Sequence, residues 1–228
     1  MARIDTLANF LTDVAAAIKT KTGKTDSITP ANFDTEIASI ESGGESTKYA
    51  PSYVSFYYCE HEDMSELING IDIKNTTSLS YTFSTCQNVK SIDLSSWNTG
   101  HITQMRSLFG SCYELTNVNV SSFDTTNVTD MTFMFGYSSK LTSLDLSSFY
   151  TPNLIKTQNM FTNCTGLKHI DMRNFDFSNI TTTNASGMFT SVPSDCEIIV
   201  ADNTQKGWIT SKFTSLKNVK TVAELEAS

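Results

Sequence analysis

The chain has 228 residues, of which 39% are hydrophobic and 18% are charged, and its formal net charge is −8. This composition predicts a folded chain with a core and a surface covered mainly by Ser, Thr and Asn. The negative charge argues against nucleic acid as a partner, because phosphate backbones favour clustered Lys and Arg. The start, MARIDTLANFLTDV, lacks the regions of a secretory signal peptide. No stretch approaches the about 20 apolar residues of a membrane span, so we expect no membrane insertion.

The first 41 residues are predicted to form a helical hairpin. The apolar residues of its first helix are spaced alternately three and four residues apart, as in a coiled-coil seam. They are Ile4, Leu7, Leu11, Val14 and Ile18. The second helix is predicted to begin at Thr29 and Pro30, and its apolar stripe includes Phe33 and Ile37. Both stripes are candidates for attachment or oligomerisation, and residues 42–52 are predicted to be a flexible linker.

A repeat of 26 residues follows, and its copies open at Val89, Leu115, Leu141 and Leu167. Repeats of this length are typical of solenoids, in which each copy buries its apolar face against its neighbours. The stretch LTSLDLSS alternates apolar and polar residues, which predicts a short strand with Leu144 and Leu146 inside. The stretch VTDMTFMF has the apolar spacing of one or two helical turns.

We therefore predict an α/β fold class, a right-handed leucine-rich-repeat solenoid of parallel strands plus short helices with an N-terminal helical hairpin. The solenoid is predicted to span residues 53–222. Aromatic residues at two positions of the repeat are expected to form columns, one of which contains Phe135. Residues 197–222 are predicted to cap the open end of the core with Trp208, Ile209, Phe213 and Leu216.

Three of the five cysteines, Cys86, Cys112 and Cys164, occupy one position of the repeat, where another copy has Ser138. We interpret this column as small core residues. A disulfide between Cys86 and Cys112 stays an alternative, because the two residues are in adjacent copies. The sequence has no CxxC or CxxH pair and no GxSxG, HExxH, P-loop or GxGxxG motif. We therefore predict no enzymatic activity, no catalytic residue, no cofactor and no metal site.

The outward positions of the predicted strands form rows of short polar residues. We name these positions the strand face and treat them as a candidate surface for a glycan or a protein. They are Ser91, Asp93, Asn117, Asn119, Ser143, Asp145, His169, Asp171 and Arg173. The alternative is that they only solvate the sheet. A glycan-cleaving enzyme would need paired carboxylates about 5–9.5 Å apart in a cleft, whereas the acidic residues here share one row of a flat face.

The stretches LTSLDLSSF and FDTTNVTDMTFMF resemble the BspA-like leucine-rich repeat, in which LDLSSF and NVTDM recur. This resemblance covers residues 63–200, and the closing stretch IIVADNTQKGWITSKFTSLKNVKTV resembles the end cap of such arrays. The N-terminal stretch LANFLTDVAAAIKTKTGKTDSITPANFDTEIASI is similar to a helical segment of tail and fibre proteins of phages that infect Gram-positive bacteria.

Together the two resemblances imply a non-enzymatic virion protein that is made in the host cytoplasm and needs no export signal. We expect a tail-fibre or receptor-binding component that displays its repeats to the host surface. Its hairpin would bind other virion proteins and form a homo-oligomer, with a trimer favoured. A head fibre or capsid decoration protein is one alternative. A bacterial surface adhesin is another, since bacterial members of the BspA-like family are secreted proteins that bind host proteins or cells.

Overall fold

Stacked coils of the repeated sequence form the part of the chain that the structure describes. The computed structural model describes residues 52–57, 59 and 64–227, apart from the side chain of Glu66. These residues fall in the unit Ala50–Ser228. The predicted hairpin at 1–41 and the linker up to residue 51 lie outside the described residues. The candidate attachment residues of the hairpin also lie outside the described residues. They are Ile4, Leu7, Leu11, Val14, Ile18, Phe33 and Ile37.

The strands are short and pair in parallel within two sheets. They are β1 (Ser91–Asp93), β2 (Asn117–Asn119), β3 (Ser143–Asp145), β4 (His169–Asp171), β5 (Glu197–Val200) and β6 (Val219–Thr221). β1 pairs with β2, and β3 to β6 form the second sheet in chain order. The described helices are α1 (Ser65–Asn69), a 3-10 helix (Thr183–Ala185), α2 (Asn203–Lys212) and α3 (Val222–Glu226). The predicted α/β solenoid of parallel strands is therefore confirmed, and few helices occur among the described residues.

The segment predicted to be a short helix in each coil forms a different structure, which we name the turn ladder. It comprises residues 79–85, 105–111, 131–137 and 157–163, and none of these residues is helical. Every second N–H group donates to a carbonyl of the next coil, as Phe133 does to Gln158 at 2.8 Å. The intervening N–H groups bond within their own coil, as Met134 does to Met131 at 3.2 Å.

Chains of hydrogen-bonded peptide groups therefore run from coil to coil through the turn ladder. One of them consists of the bonds Tyr81 N–H to Arg106 O at 2.8 Å, Ser107 to Thr132 at 2.9 Å, Phe133 to Gln158 at 2.8 Å and Asn159 to Ser186 at 3.0 Å. Because Arg106 and Ser107 share a peptide group, that group accepts from the coil before it and donates to the coil after it. Parallel chains begin at Phe56, Leu79 and Thr85.

Left-handed backbone conformations make this arrangement possible. Non-glycine residues take positive φ angles of 50–66° at Tyr81, Thr85, Ser107, Ser111, Phe133, Tyr137, Asn159, Asn163 and Ser191. Each such conformation costs about 1–2 kcal/mol, which a helix would avoid. The inter-coil bonds offset this cost, because chains of hydrogen bonds strengthen one another. The apolar residues that suggested a helix, Met131, Met134 and Phe135, are nevertheless fully buried.

A column of stacked phenylalanine rings fills the core beside the turn ladder. Ring centroids lie 5.7 Å apart between Phe83 and Phe109, 5.4 Å between Phe109 and Phe135, and 5.8 Å between Phe135 and Phe161. All of these rings are fully buried. A second column stacks Phe149 between the rings of two neighbouring coils, at 6.0 and 5.9 Å. The two predicted aromatic columns are thus both part of the core.

Polar residues of the repeat also join the coils. The Asn127 side-chain amide donates to the Gly100 carbonyl at 2.7 Å, and Asn153 repeats this bond one coil later with Thr126 at 2.9 Å. The fully buried hydroxyl of Thr125 donates to the Tyr150 carbonyl at 2.8 Å. The amides and hydroxyls that recur in the sequence therefore satisfy backbone groups at the coil boundaries.

The residues predicted to cap the C-terminal end of the core lie against it. Ile209 of α2 is fully buried. The Trp208 ring stacks on Phe177 with 4.6 Å between centroids, and the Phe213 ring meets Phe189 edge-on at 5.0 Å. Helix α2 thus covers apolar rings that would otherwise face solvent at the end of the stack.

Replacing Phe135 by Ala should lower the free energy of unfolding by about 3–5 kcal/mol, because the change opens a cavity inside the ring column. Denaturant unfolding monitored by circular dichroism measures the effect. Tyr150→Ala is the matched control, since the Tyr150 side chain is 57% exposed. Equal stability of the two variants would contradict the assignment of Phe135 to the core.

Candidate functional site

The strand face lies on two sheets, because no strand pairing joins β2 to β3, and we name the part on each sheet a patch. One patch carries Ser91, Asp93, Asn117 and Asn119, and the other carries the remaining five candidates. Most of the nine residues are exposed or half-buried, as predicted for outward positions. Asp171 is the exception and is buried.

The acidic and amide residues of the strand face bind their own backbone. The Asp93 carboxylate accepts the Ser95 N–H at 2.9 Å, and the Asp145 carboxylate accepts the Ser147 N–H at 3.0 Å. Asn119 accepts the equivalent N–H group at 3.2 Å. These Asx turns end each strand and redirect the chain. The Asp or Asn at this position of the repeat therefore has a structural role whether or not it also meets a ligand.

The same contacts change the acidity of the carboxyl groups. Hydrogen bonds from the backbone and side chain of Ser95 lower the pKa of Asp93. Hydrogen bonds from the side chain and backbone of Ser147 lower the pKa of Asp145. Both carboxyl groups therefore stay ionised at neutral pH, so neither has the raised pKa that a general acid needs.

Asp171 was expected at an outward position of its strand, but its side chain is buried. Asp171 pairs with Ile199 of β5, which is itself fully buried although it lies outside the main core cluster. The Arg173 guanidinium lies over the Asp171 carboxylate, with Nε 3.0 Å from each oxygen. This pairing raises the pKa of Arg173 and removes most of the surface of Asp171. The Arg173 side chain therefore covers the Asp171 carboxylate.

His169 belongs to a small ion network at the second patch. Its Nδ1 atom lies 3.0 Å from a carboxylate oxygen of Glu197, and Lys220 donates to the other oxygen at 2.7 Å. Lys220 and His169 together lower the pKa of Glu197. The network links β4, β5 and β6, and half-exposed pairs of this kind stabilise a fold only slightly.

The hydroxyls and amides that remain accessible are those of Ser91, Asn117 and Ser143. Asn117 donates to Ser91 Oγ across the strands at 3.3 Å. Such groups can hydrogen-bond a ligand but supply no nucleophile with an adjacent base. Among the described residues, no group of three or more His, Cys, Asp or Glu is placed to hold a metal ion. No helix in the described part of the chain is long and apolar enough to cross a bilayer.

A second surface, which the sequence analysis missed, lies over the turn ladder. We name Tyr81, Arg106, Phe133 and Tyr137 the turn face. The Tyr81 and Tyr137 side chains are each 41% exposed. Arg106 Nε donates to the Tyr81 hydroxyl at 2.7 Å, and the Phe133 and Tyr137 ring centroids lie 5.6 Å apart. Exposed aromatic side chains of this kind are frequent at binding surfaces.

Two glycines make room for the Phe133 ring. A Cβ atom at Gly110 or at Gly136 would come within 3.0 Å of that ring. A side chain at either glycine would therefore require the Phe133 ring to shift by a few tenths of an ångström. Tyr81, Ser107 and Phe133 recur at one position of the repeat, and a search for aromatic residues outside the buried columns would have found this surface.

The cysteine column is part of the core and contains no disulfide. Cys112 Sγ donates to the Phe83 carbonyl at 3.0 Å, and Cys164 Sγ donates to the Phe135 carbonyl at 3.0 Å. Ser138 makes the equivalent bond at 2.8 Å. This position of the repeat therefore requires a small side chain that donates a hydrogen bond, and Cys and Ser both meet this requirement.

Stability should fall as the pH drops from neutral, because the folded-state pKa values of Asp93 and Asp145 are lowered. A lowered pKa contributes stability above the unfolded-state value of about 3.9, and this contribution is lost as the pH falls through the folded-state value. Asp145→Asn should keep the Asx turn, as Asn119 does. Its urea midpoint should therefore drop less between pH 7 and pH 3 than that of the wild type.

Asp145→Ala is the control for the turn itself, since Ala cannot accept the Ser147 N–H. It should lose about 1 kcal/mol at pH 7, where Asp145→Asn is nearly unchanged. If the Asn variant and the wild type lose the same stability on acidification, the carboxyl group of Asp145 contributes nothing to the pH dependence.

One family of proteins matches the coils of the solenoid. The family described as "Mycoplasma protein of unknown function, DUF285" matches residues 77–201, which is more than half of the chain. No curated protein and no solved structure matches the chain. The family match and the stacked parallel strands both support the resemblance to BspA-like repeats. The chain therefore belongs to the DUF285 family.

Proposed function

We propose that the protein is a non-enzymatic component of a phage virion, within the tail fibre or receptor-binding apparatus. In this role the segment 1–41, which the sequence predicts to be a helical hairpin, binds other virion proteins, and the solenoid displays its strand face to a glycan or protein of the host surface. The similarity of the N-terminal sequence to phage tail and fibre proteins supports the virion assignment. The exposed surface of the solenoid supports the binding role.

The observation that carries the binding role is the fixed geometry of the exposed polar rows. Asx turns hold Asp93, Asn119 and Asp145, and a cross-strand bond holds Asn117 against Ser91. A ligand that meets these side chains does not have to order them first, which lowers the entropic cost of binding. Serine hydroxyls and amides also match the hydroxyl-rich surface of a glycan or the backbone of a protein.

The location of the protein on purified particles tests the virion assignment. Gold-labelled antibody against the full chain should mark the distal tail in electron micrographs. The soluble full chain should also compete with particles for adsorption to host cells. Label spread over the capsid, together with unchanged adsorption, would replace the receptor-binding proposal with capsid decoration. Absence of the protein from particles would contradict both.

Matched surface variants test which face meets the host. Asn117→Arg with Ser143→Arg places bulky charges on both patches of the strand face. Tyr81→Ala with Tyr137→Ala removes the exposed rings of the turn face. We expect the first pair to reduce competition for host cells at least tenfold and the second pair to leave it unchanged. The reverse result would assign binding to the turn face and contradict our choice of surface.

Deletion of residues 1–45 tests the role of the hairpin. The shortened chain should be monomeric and should not enter particles, whereas the full chain should be oligomeric, with a trimer expected. Light scattering gives the mass in solution, and immunoblotting of purified particles measures incorporation. An unchanged mass and unchanged incorporation would show that the hairpin is used neither for oligomerisation nor for attachment.

A further inference from the structure

Cys59 and Cys86 meet where the first described coil packs on the second. Phe56 stacks on Phe83 with 5.2 Å between ring centroids, and each cysteine follows its phenylalanine by three residues. The Cys59 N–H donates to the Phe56 carbonyl oxygen at 2.9 Å. Cys86 Sγ donates to the same oxygen at 3.0 Å. The two cysteines therefore converge on one atom.

The thiol groups of the two residues also interact. A hydrogen bond between the Cys59 and Cys86 side chains, together with burial, holds the pKa of Cys86 above its ordinary value. Cys59 Sγ lies 3.2 Å from the Met64 sulfur, so three sulfur atoms are grouped at this place. Cys86 is fully buried, whereas Cys59 is partly exposed. Cys59 is therefore the member of the pair that has surface exposed to solvent.

The other cysteines of the column have no partly exposed cysteine beside them. Cys112 is fully buried. Cys164 is also fully buried, and the equivalent position of the preceding coil is Ser138. A pair formed by Cys86 and Cys112 would have no exposed member. Thiol–disulfide exchange requires a cysteine that is exposed to solvent. We therefore expect an oxidant to react with the pair that contains Cys59.

We propose that Cys59 and Cys86 form an oxidisable pair, which closes into a disulfide when the protein meets a small disulfide such as oxidised glutathione. The Cys59 thiolate attacks one sulfur of the oxidant, whose disulfide bond breaks and releases one glutathione thiolate. Cys86 then gives up its proton, through solvent, to the glutathione thiolate already released, and its sulfur attacks Cys59 Sγ. The second glutathione thiolate leaves as the bond between Cys59 and Cys86 forms. Two protein thiols are oxidised and one glutathione disulfide is reduced to two thiols.

The disulfide would join the first described coil to the second. Val54 and Phe56 belong to that first coil, and both are buried against the end of the core. Closing the pair would hold this coil in place and restrict the unfolded chain. A protein made in a reducing cytoplasm and then released into an oxidising medium would gain the bond after release. The proposal does not depend on the virion assignment.

The test uses the purified full chain in glutathione buffers of increasing oxidised fraction at pH 8. Non-reducing peptide mapping by mass spectrometry should find a Cys59–Cys86 cross-link in the wild type. The thermal midpoint of the oxidised protein should exceed that of the reduced protein by about 5–10 °C. Treatment with a reductant should return both readouts to their starting values.

Two serine variants serve as matched controls. Cys59→Ser should lose the cross-link and the thermal shift. Cys112→Ser should keep both, because Ser138 shows that serine fits this column. The wild-type mapping is decisive even if one variant folds poorly. A cross-link between Cys86 and Cys112, or glutathione left on Cys59 without any cross-link, would overturn the proposal.

Discussion

The hydrogen bonds between successive coils are the constraint on which the rest of the structure depends. In the turn ladder each bridging peptide group accepts a bond from one coil and donates a bond to the next, with N···O distances such as 2.8 Å from Phe133 to Gln158. A coil can make these bonds only when its neighbours are in register. The ring column and the Asn and Thr side chains follow the same register, so backbone and side chains select one stacking.

This constraint also decides which surface residues are available for function. Many of the polar residues that give the repeat its character are occupied at the coil boundaries, as Asn127, Asn153 and Thr125 are. On the strand face the carboxylates hold their own turns, and Arg173 covers Asp171. What remains for a partner is a row of small hydroxyls and amides on one face and a cluster of exposed rings on the other.

The repeat period, the parallel strands and the aromatic columns could be predicted because buried apolar residues recur at fixed intervals. The turn ladder could not, because Met131, Met134 and Phe135 would be buried equally well on a helix. The positive φ angles that exclude a helix fall on Phe133 and Tyr137, residue types that rarely adopt them. The burial of Asp171 could not be predicted from the sequence either. It depends on Ile199 and Arg173, and at these positions the sequence departs from the repeat pattern.

The peptide chains of the turn ladder have an electrical consequence. Their N–H groups all point toward the following coil, and their carbonyl groups all point toward the preceding one. The dipoles of these groups therefore add along the stacking direction, as they do along a helix axis. The sign is reversed relative to an α-helix, since the partial positive charge lies at the C-terminal end of the stack. The turn ladder is thus a polar array of peptide groups, and its two ends carry opposite partial charges.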